Sequence, residues 1–134
     1  MQIATELEVD HRLLNILLVE DQKESQIITT AYLNNISNVT CVSNADAALA
    51  ILQRELFDLI LMDIALVDGI GGIELTKILR TDRRYDRVPI IAVTAYGLLE
   101  HKYECFEAGM NDFVSKPFTR AKLLETIRRW RPMN

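Results

Sequence analysis

Three acidic side chains directly follow two short apolar runs of the sequence. Glu20 and Asp21 come after residues 15–19, and Asp63 comes after residues 58–62. If both runs are strands of one parallel sheet, their carboxyl ends share the edge at which open α/β sheets bind ligands. Carboxylates brought that close repel each other unless a cation neutralises them, and Mg²⁺ is favoured because it accepts carboxylates, waters and a phosphoryl oxygen. The alternative interpretation is that the three acids lie in loops and are simply solvated.

Polar side chains also end two later apolar runs. Thr94 closes residues 88–94, and Lys116 follows residues 112–115. Taken singly these are weak signals, because a Thr often caps the next helix and a Lys usually points into solvent. Together with the acids they form a set suited to phosphoryl transfer: a cation site, a carboxylate to be phosphorylated, and two groups to receive phosphoryl oxygens.

The histidines and cysteines show no competing catalytic or metal-binding pattern. His11 lies in a leader and His101 in the predicted fourth helix, so we expect surface positions for both. Cys41 and Cys105 are too few for a disulfide framework or a thiolate metal site. We expect two free thiols that are buried or half-buried.

The elements that must position these groups are read from hydrophobic spacing. Short apolar runs alternate with amphipathic segments, which is the pattern of βα units in a parallel sheet. The predicted strands are residues 15–19, 39–42, 58–62, 88–94 and 112–115. We expect Thr119 to cap the last helix and Gly109 to end the fourth. The helical stripes expected to face the core are Ile28, Tyr32 and Leu33; Leu49 and Leu52; Leu75, Ile78 and Leu79; and Leu123, Leu124, Ile127 and Trp130.

Length and charge narrow the class of protein. The chain has 134 residues, of which 49% are hydrophobic, and this suits one domain with its own core. We place a leader or linker at residues 1–14 and the domain at residues 15–131. The net charge of −4 argues against direct nucleic-acid binding. No apolar run approaches the roughly 18 residues that span a bilayer, so we expect no membrane insertion and a cytoplasmic location.

Four segments of the chain resemble the receiver domains of two-component response regulators and hybrid histidine kinases. They are ILLVED at residues 16–21, LILMD at 59–63, IAVTA at 91–95 and AGMNDFVSKPF at 108–118. The resemblance extends over residues 15–130. It implies a flavodoxin-like (βα)5 fold, a three-layer α/β sandwich whose parallel sheet has the order 2-1-3-4-5.

The resemblance also implies a phosphoacceptor and a metal site. Asp63 is similar to the residue that takes a phosphoryl group from a phosphohistidine on a histidine kinase or histidine phosphotransfer protein. Asp21, Asp63 and the backbone carbonyl of Ala65 would bind Mg²⁺ directly, and Glu20 would act through a water. The domain would catalyse only its own phosphorylation and dephosphorylation, alone or as part of a hybrid kinase.

The remaining matched positions are those of a phosphorylation switch. Lys116 would hold a phosphoryl oxygen, and its peptide bond to Pro117 is expected to be cis. Thr94 and Phe113 match the switch pair, in which the hydroxyl moves toward the phosphoryl group and the aromatic ring turns inward.

The loop after Asp63 departs from the usual family pattern. Val67 stands where a Pro is usual, and residues 68–72 form a longer loop with three glycines, which makes the backbone of this loop conformationally more permissive.

The sequence of residues 22–26 is closer to that of receivers in hybrid kinases. In those proteins the first helix docks the partner, so Ile27 is a candidate exposed anchor, although an ordinary exposed Ile explains it equally.

Three other functions occur on the same fold, and each would require different residues at the site. A pseudo-receiver, which binds proteins without being phosphorylated, would typically lack Asp63, Lys116 or one of the paired acids. An aspartyl phosphatase would need a second acid at Ala65, and a flavin carrier would need a Gly-rich loop after the first strand. A weak homodimer through the last helices stays open, since the cluster of Arg128, Arg129 and Arg131 is equally explained as solvated charge.

Overall fold

Five parallel strands form a single sheet in the computed structural model, which describes residues 13–95 and 99–131. The strands are β1 (Leu14–Val19), β2 (Ser37–Val42), β3 (Leu59–Met62), β4 (Ile90–Thr94) and β5 (Asp112–Ser115). Their order is β2-β1-β3-β4-β5, which confirms the predicted flavodoxin-like arrangement. β1 begins at the buried Leu14, one residue earlier than expected, and residues 1–12, which fall in the predicted leader and include His11, lie outside the described part.

Five α-helices connect or follow the strands. They are α1 (Lys23–Tyr32), α2 (Ala45–Leu52), α3 (Gly72–Leu79), α4 (Leu99–Ala108) and α5 (Arg120–Trp130), and a 3₁₀ turn spans Arg83–Tyr85. The Thr119 hydroxyl accepts from the Lys122 N–H at 3.0 Å, which confirms the predicted cap of α5. Gly109 follows α4 with φ +113°, a conformation that side chains other than glycine rarely adopt. No helix in the described ranges has the length and hydropathy to cross a bilayer.

Side chains of the sheet alternate between two apolar clusters, one on each face. On β1, Leu17 and Val19 join α2, α3 and α4, whereas Ile16 and Leu18 join α1 and α5. All four are fully buried or nearly so, as expected for a parallel sheet covered on both sides. The result is the three-layer sandwich that the family resemblance implies.

Two predicted core positions are wrong. Ile28 and Ile78 are 49% and 39% exposed, and the buried positions on their helices include Thr29 and Thr76 instead. The Thr76 hydroxyl donates to the Gly72 carbonyl at 2.8 Å, so its polar atom is satisfied within the helix. A threonine paired in this way can face the core, and the helix rotates its isoleucine toward solvent.

The cysteines and the second histidine also differ in part from expectation. Cys41 is exposed, because β2 is an edge strand of the sheet. Cys105 is fully buried, and burial raises the pKa of its thiol to about 11. His101 lies on α4, as predicted, but is partly buried.

Arg80 ties together the edge of the sheet at which β4 and β5 begin. Its guanidinium donates to the carbonyl oxygens of Gly109 at 2.9 Å and Tyr85 at 2.5 Å, and to Asn111 Oδ1 at 2.9 Å. The Asn111 amide oxygen also accepts from the Ile90 N–H at 2.9 Å. A Cβ at residue 109 would lie 2.6 Å from Arg80 Cγ, so this contact requires glycine as well as the positive φ does.

Candidate functional site

The three acids meet at the carboxyl edge of the sheet because β1 and β3 are neighbours in register. Val19 pairs with Met62, so the residues that follow each strand lie side by side. The Asp63 N–H donates to the Val19 carbonyl at 3.0 Å and extends this pairing by one residue. Carboxylate oxygens of Glu20, Asp21 and Asp63 all lie within 4.8 Å of one another. Glu20 and Asp63 are buried, and Asp21 is partly exposed.

The acid trio brings three carboxylates together beside one ammonium, that of Lys116, which contacts two of them. Burial raises the pKa of the Glu20 carboxyl, and the nearby Asp63 charge adds to the rise. Hydrogen bonds from Lys116 and from the Gln22 N–H act in the opposite direction. An excess of closely spaced carboxylate oxygens fits a hard divalent cation, and Mg²⁺ prefers such ligands.

Lys116 inserts its ammonium between two of the acids. Its Nζ lies 2.5 Å from Glu20 Oε1 and 3.7 Å from Asp63 Oδ2, and its side chain is only 16% exposed. It follows β5, which lies two strands away from β3 in the sheet. The Lys116–Pro117 peptide bond is cis.

The loop after Asp63 holds the phosphoacceptor candidate in place. Asp63 Oδ1 accepts from the Ala65 N–H at 2.9 Å. A Cβ at Gly72 would lie 2.3 Å from the Asp63 carbonyl oxygen, so only glycine lets α3 start this close to the Asp63 backbone. The sequence alone does not predict this role of Gly72, because nothing in it distinguishes the three loop glycines from one another. Gly69 alone of the three has a positive φ, at +79°.

Val67 contributes a backbone bond that the usual family residue cannot make. Its N–H donates to Asp21 Oδ2 at 3.1 Å. Proline has no N–H and could not form this bond. The departure therefore ties the loop after β3 directly to one of the three acids.

Thr94 and Phe113 lie on the same face of the sheet. Phe113 pairs with Ala92 in the β4–β5 ladder, and Thr94 is two residues beyond Ala92 on the same strand. Thr94 is fully buried, whereas Phe113 is partly buried and packs against the cluster beneath α2, α3 and α4. Lys102 Nζ lies 5.5 Å from the centroid of the Phe113 ring.

Two polar residues in the first turn of α1 belong to the site although the sequence argument gave them no role. Ser25 Oγ accepts from Lys116 Nζ at 3.0 Å, and Gln26 Nε2 donates to the Glu20 carbonyl at 2.6 Å. The sequence signal was their position within six residues of the paired acids. Pairing Ser25 with Lys116 requires the three-dimensional fold, because 91 positions separate them.

An open groove of about 400 Å³ extends from Lys116 along α1. Its walls are largely apolar and include Ile28, Tyr32, Pro117 and Phe118. On the outer side of the same helix Ile27 is 60% exposed, in agreement with its predicted solvent position. Apolar side chains of α1 therefore lie open to solvent beside the acidic site.

A family model described as the response regulator receiver domain matches residues 16–128. The response regulator protein FleR of Pseudomonas aeruginosa is 33% identical over 85% of this chain and 24% of FleR. Hybrid signal transduction histidine kinase M of Dictyostelium discoideum is 37% identical over 85% of this chain and 5% of the kinase. The sensor protein GacS of Pseudomonas syringae is 28% identical over 86% of this chain and 13% of GacS. The chain thus spans a quarter or less of these relatives.

Solved structures give the same picture of the fold. The receiver domain of sensor histidine kinase PA1611 from Pseudomonas aeruginosa, solved with a magnesium ion coordinated in its active site cleft, has a TM-score of 0.81 and 38% identity. That match covers 89% of this chain and 98% of the other. The chemotaxis response regulator CheY4 of Vibrio cholerae has a TM-score of 0.83 and 27% identity over 89% of this chain and 99% of the other.

Proposed function

The chain belongs to the response regulator receiver domain family of two-component systems, and from this membership we propose that Asp63 is its phosphoacceptor. The observation that carries the proposal is the position of Asp63. It lies buried at the carboxyl edge of the sheet, among two further acids and the Lys116 ammonium. Pseudo-receivers typically lose one of these groups, and all of them meet here.

The transfer itself needs little covalent chemistry from the protein. An Asp63 oxygen forms a bond to phosphorus as the P–N bond of a phosphohistidine breaks, and the departing imidazole keeps the bonding electron pair. Ala65 orients the attacking carboxylate by donating its N–H to Oδ1. Lys116, 3.7 Å from Oδ2, supplies positive charge to an incoming phosphoryl oxygen.

We also propose that Glu20, Asp21, Asp63 and the Ala65 carbonyl hold Mg²⁺. The three carboxylates offer only oxygen ligands and lie close enough to share one ion. When bound, Mg²⁺ offsets the negative charge that the acids and the phosphoryl group bring together. With this charge offset, the domain would catalyse its own phosphorylation and dephosphorylation.

The signal would leave the site through Thr94 and Phe113. Phosphorylation adds about −1.5 to −2 charges and strong acceptor oxygens at Asp63. We propose that the Thr94 hydroxyl moves toward them and that Phe113, now half-buried, turns into the space this opens. The changed packing alters the surface made by α4, β5 and α5, where the domain would contact its target.

The proposed partner is a histidine kinase or a histidine phosphotransfer protein in the cytoplasm. Support comes from two exposed apolar residues of α1: Ile28 lines the groove that leads to Lys116, and Ile27 lies on the outer side of the helix. Exposed apolar anchors near a polar site are typical of docking surfaces. The relatives include both hybrid kinases and response regulators, and either context would present this domain to a phosphohistidine.

The experiment that tests the proposal is intact mass spectrometry after incubation with Mg²⁺ and acetyl phosphate. Wild type should gain one phosphoryl mass only when Mg²⁺ is present, and Asp63→Asn should gain none. Asp46→Asn, at an exposed position in the first turn of α2, is the matched control and should behave as wild type. A folded wild type that binds Mg²⁺ but gains no mass would indicate a protein-binding module that is not phosphorylated.

A further inference from the structure

Among the residues that the structure describes, Lys116 has two close hydrogen-bond partners, and only one of them is an acid. An ammonium carries three N–H bonds. Glu20 Oε1 takes one at 2.5 Å and Ser25 Oγ takes another at 3.0 Å. Asp63 Oδ2, at 3.7 Å, lies within ion-pair reach but beyond a hydrogen bond.

This geometry leaves one N–H of Lys116 for the phosphoacceptor side of the site. Without the Ser25 hydroxyl, Lys116 would be left with the carboxylates of Glu20 and Asp63. Because Glu20 is the closer of the two, it would draw the ammonium toward itself. The Ser25 hydroxyl offers a neutral acceptor on α1, so it holds the ammonium without adding negative charge.

Ser25 is itself held firmly enough to act in this way. It lies in the first turn of α1, where its neighbour Gln26 donates to the Glu20 carbonyl at 2.6 Å. The Gln22 N–H, just before the helix, donates to Glu20 Oε2 at 3.0 Å. These two contacts fasten the start of α1 to Glu20, and Ser25, which lies between Gln22 and Gln26 in the sequence, is partly buried.

We propose that Ser25 is a positioning residue that holds the Lys116 ammonium between Glu20 and Asp63, ready to meet a phosphoryl oxygen on Asp63. This inference rests on the proposed phosphoacceptor function and deepens it. Ser25 needs no contact with the phosphoryl group, because it acts through Lys116. It also makes the reactivity of Asp63 depend on the placement of α1.

The test is the initial rate of phosphoryl incorporation from acetyl phosphate at saturating Mg²⁺. Ser25→Ala should slow incorporation roughly threefold to tenfold, the loss expected for one hydrogen bond of ordinary strength. Ser25→Thr keeps the hydroxyl and should recover most of the rate. Thr30→Val is the matched control, because it removes a hydroxyl from the same helix that contacts Cys41 and not the site.

A second comparison separates positioning from a general loss of structure. In a Lys116→Met background, where the residual rate is followed over a long incubation, Ser25→Ala should cause no further slowing. An equal slowing in both backgrounds, or an unchanged rate in Ser25→Ala while wild type is phosphorylated, would overturn the inference and leave the proposed function standing. No incorporation by wild type would overturn the proposed function and this inference with it.

Discussion

At the edge where β4 and β5 begin, one cation meets three neutral acceptors, whereas at the carboxyl edge one cation lies beside a group of three carboxylates and contacts two of them. We call the first the amino-edge cluster, made of Arg80, Tyr85, Gly109 and Asn111. The second, the carboxyl-edge cluster, is made of Glu20, Asp21, Asp63 and Lys116. Both are partly buried and both join distant parts of the chain.

The difference lies in what each cluster leaves unsatisfied. Arg80 finds oxygen acceptors at hydrogen-bond distance for its Nε and both terminal nitrogens, so the amino-edge cluster is complete without a further ligand. The carboxyl-edge cluster has two negative charges more than it has positive ones, and burial raises the pKa of Glu20. A buried network that is satisfied stabilises the fold, and one that is left short of positive charge is suited to binding a cation.

The largest expected effect is on stability and comes from the amino-edge cluster. Arg80→Met keeps the aliphatic stem but removes three hydrogen bonds that a cation makes to partly buried acceptors, so we expect a loss of about 2–4 kcal/mol in the free energy of unfolding. Urea unfolding followed by the fluorescence of Trp130 measures this. Arg84→Met is the control, because the Arg84–Asp82 pair is exposed and should contribute little. Equal stability of the two variants would contradict the structural role of Arg80.

The next effect separates charge from structure at the carboxyl edge. Lys116→Met removes the ammonium that competes with a metal ion for Glu20 and Asp63, so we expect Mg²⁺ to bind roughly tenfold more tightly. The same variant should be phosphorylated at least about tenfold more slowly, because a phosphoryl oxygen loses its cation. Calorimetric titration measures the affinity for Mg²⁺, and the mass assay measures the rate of phosphorylation. Lys122→Met, at an exposed site on α5, should change neither; weaker Mg²⁺ binding in Lys116→Met would break the comparison.

A smaller effect concerns pH and Glu20. Because burial raises the pKa of this carboxyl, the folded state holds the proton more tightly than the unfolded chain does. The resulting contribution to stability is complete below the ordinary pKa and is lost as the pH rises through the raised value. In Mg²⁺-free buffer, the melting temperature of Glu20→Gln relative to wild type should therefore increase as the pH is raised from about 4.5 into the neutral range. A relative melting temperature that falls over this range would contradict the assigned shift.

The smallest effect concerns the relative reactivity of the two cysteines, which we expect Lys116→Met to leave unchanged. Cys105 is buried with a pKa near 11, so in the folded protein it should react with a disulfide reagent at less than about one-hundredth of the rate of the exposed Cys41. Lys116→Met should leave this ratio unaltered, because its cluster lies at the opposite edge from the end of α4. Rapid labelling of Cys105 in that variant would show that the two edges are not independent.

Much of the fold and the outline of the site could be predicted from the sequence. Parallel strands buried on both faces read as continuous apolar runs, and this located β1 and β3 and hence the acids that follow them. The sequence predicted less well which side of each helix faces the core. Ile28 and Ile78 match the apolar spacing, but Thr76 faces the core because its hydroxyl bonds within the helix.

The parts of the site that the sequence argument missed depend on contacts between distant residues. Ser25 has a role only because the fold brings it to Lys116, and Gly72 only because α3 starts against the Asp63 backbone. Val67 reads as the loss of a rigid Pro, yet its N–H reaches Asp21. Local spacing indicates which residues end a strand, and it does not indicate which backbone atoms they then meet.

The most direct test of the account is to locate the phosphoryl group chemically. Phosphorylated protein would be reduced with borohydride, which converts an aspartyl phosphate to homoserine, then digested and sequenced by mass spectrometry. The account predicts homoserine at residue 63 and none at Asp21. Homoserine at Asp21, or a phosphorylated protein that yields unmodified Asp63, would contradict the assignment of Asp63 as the phosphoacceptor.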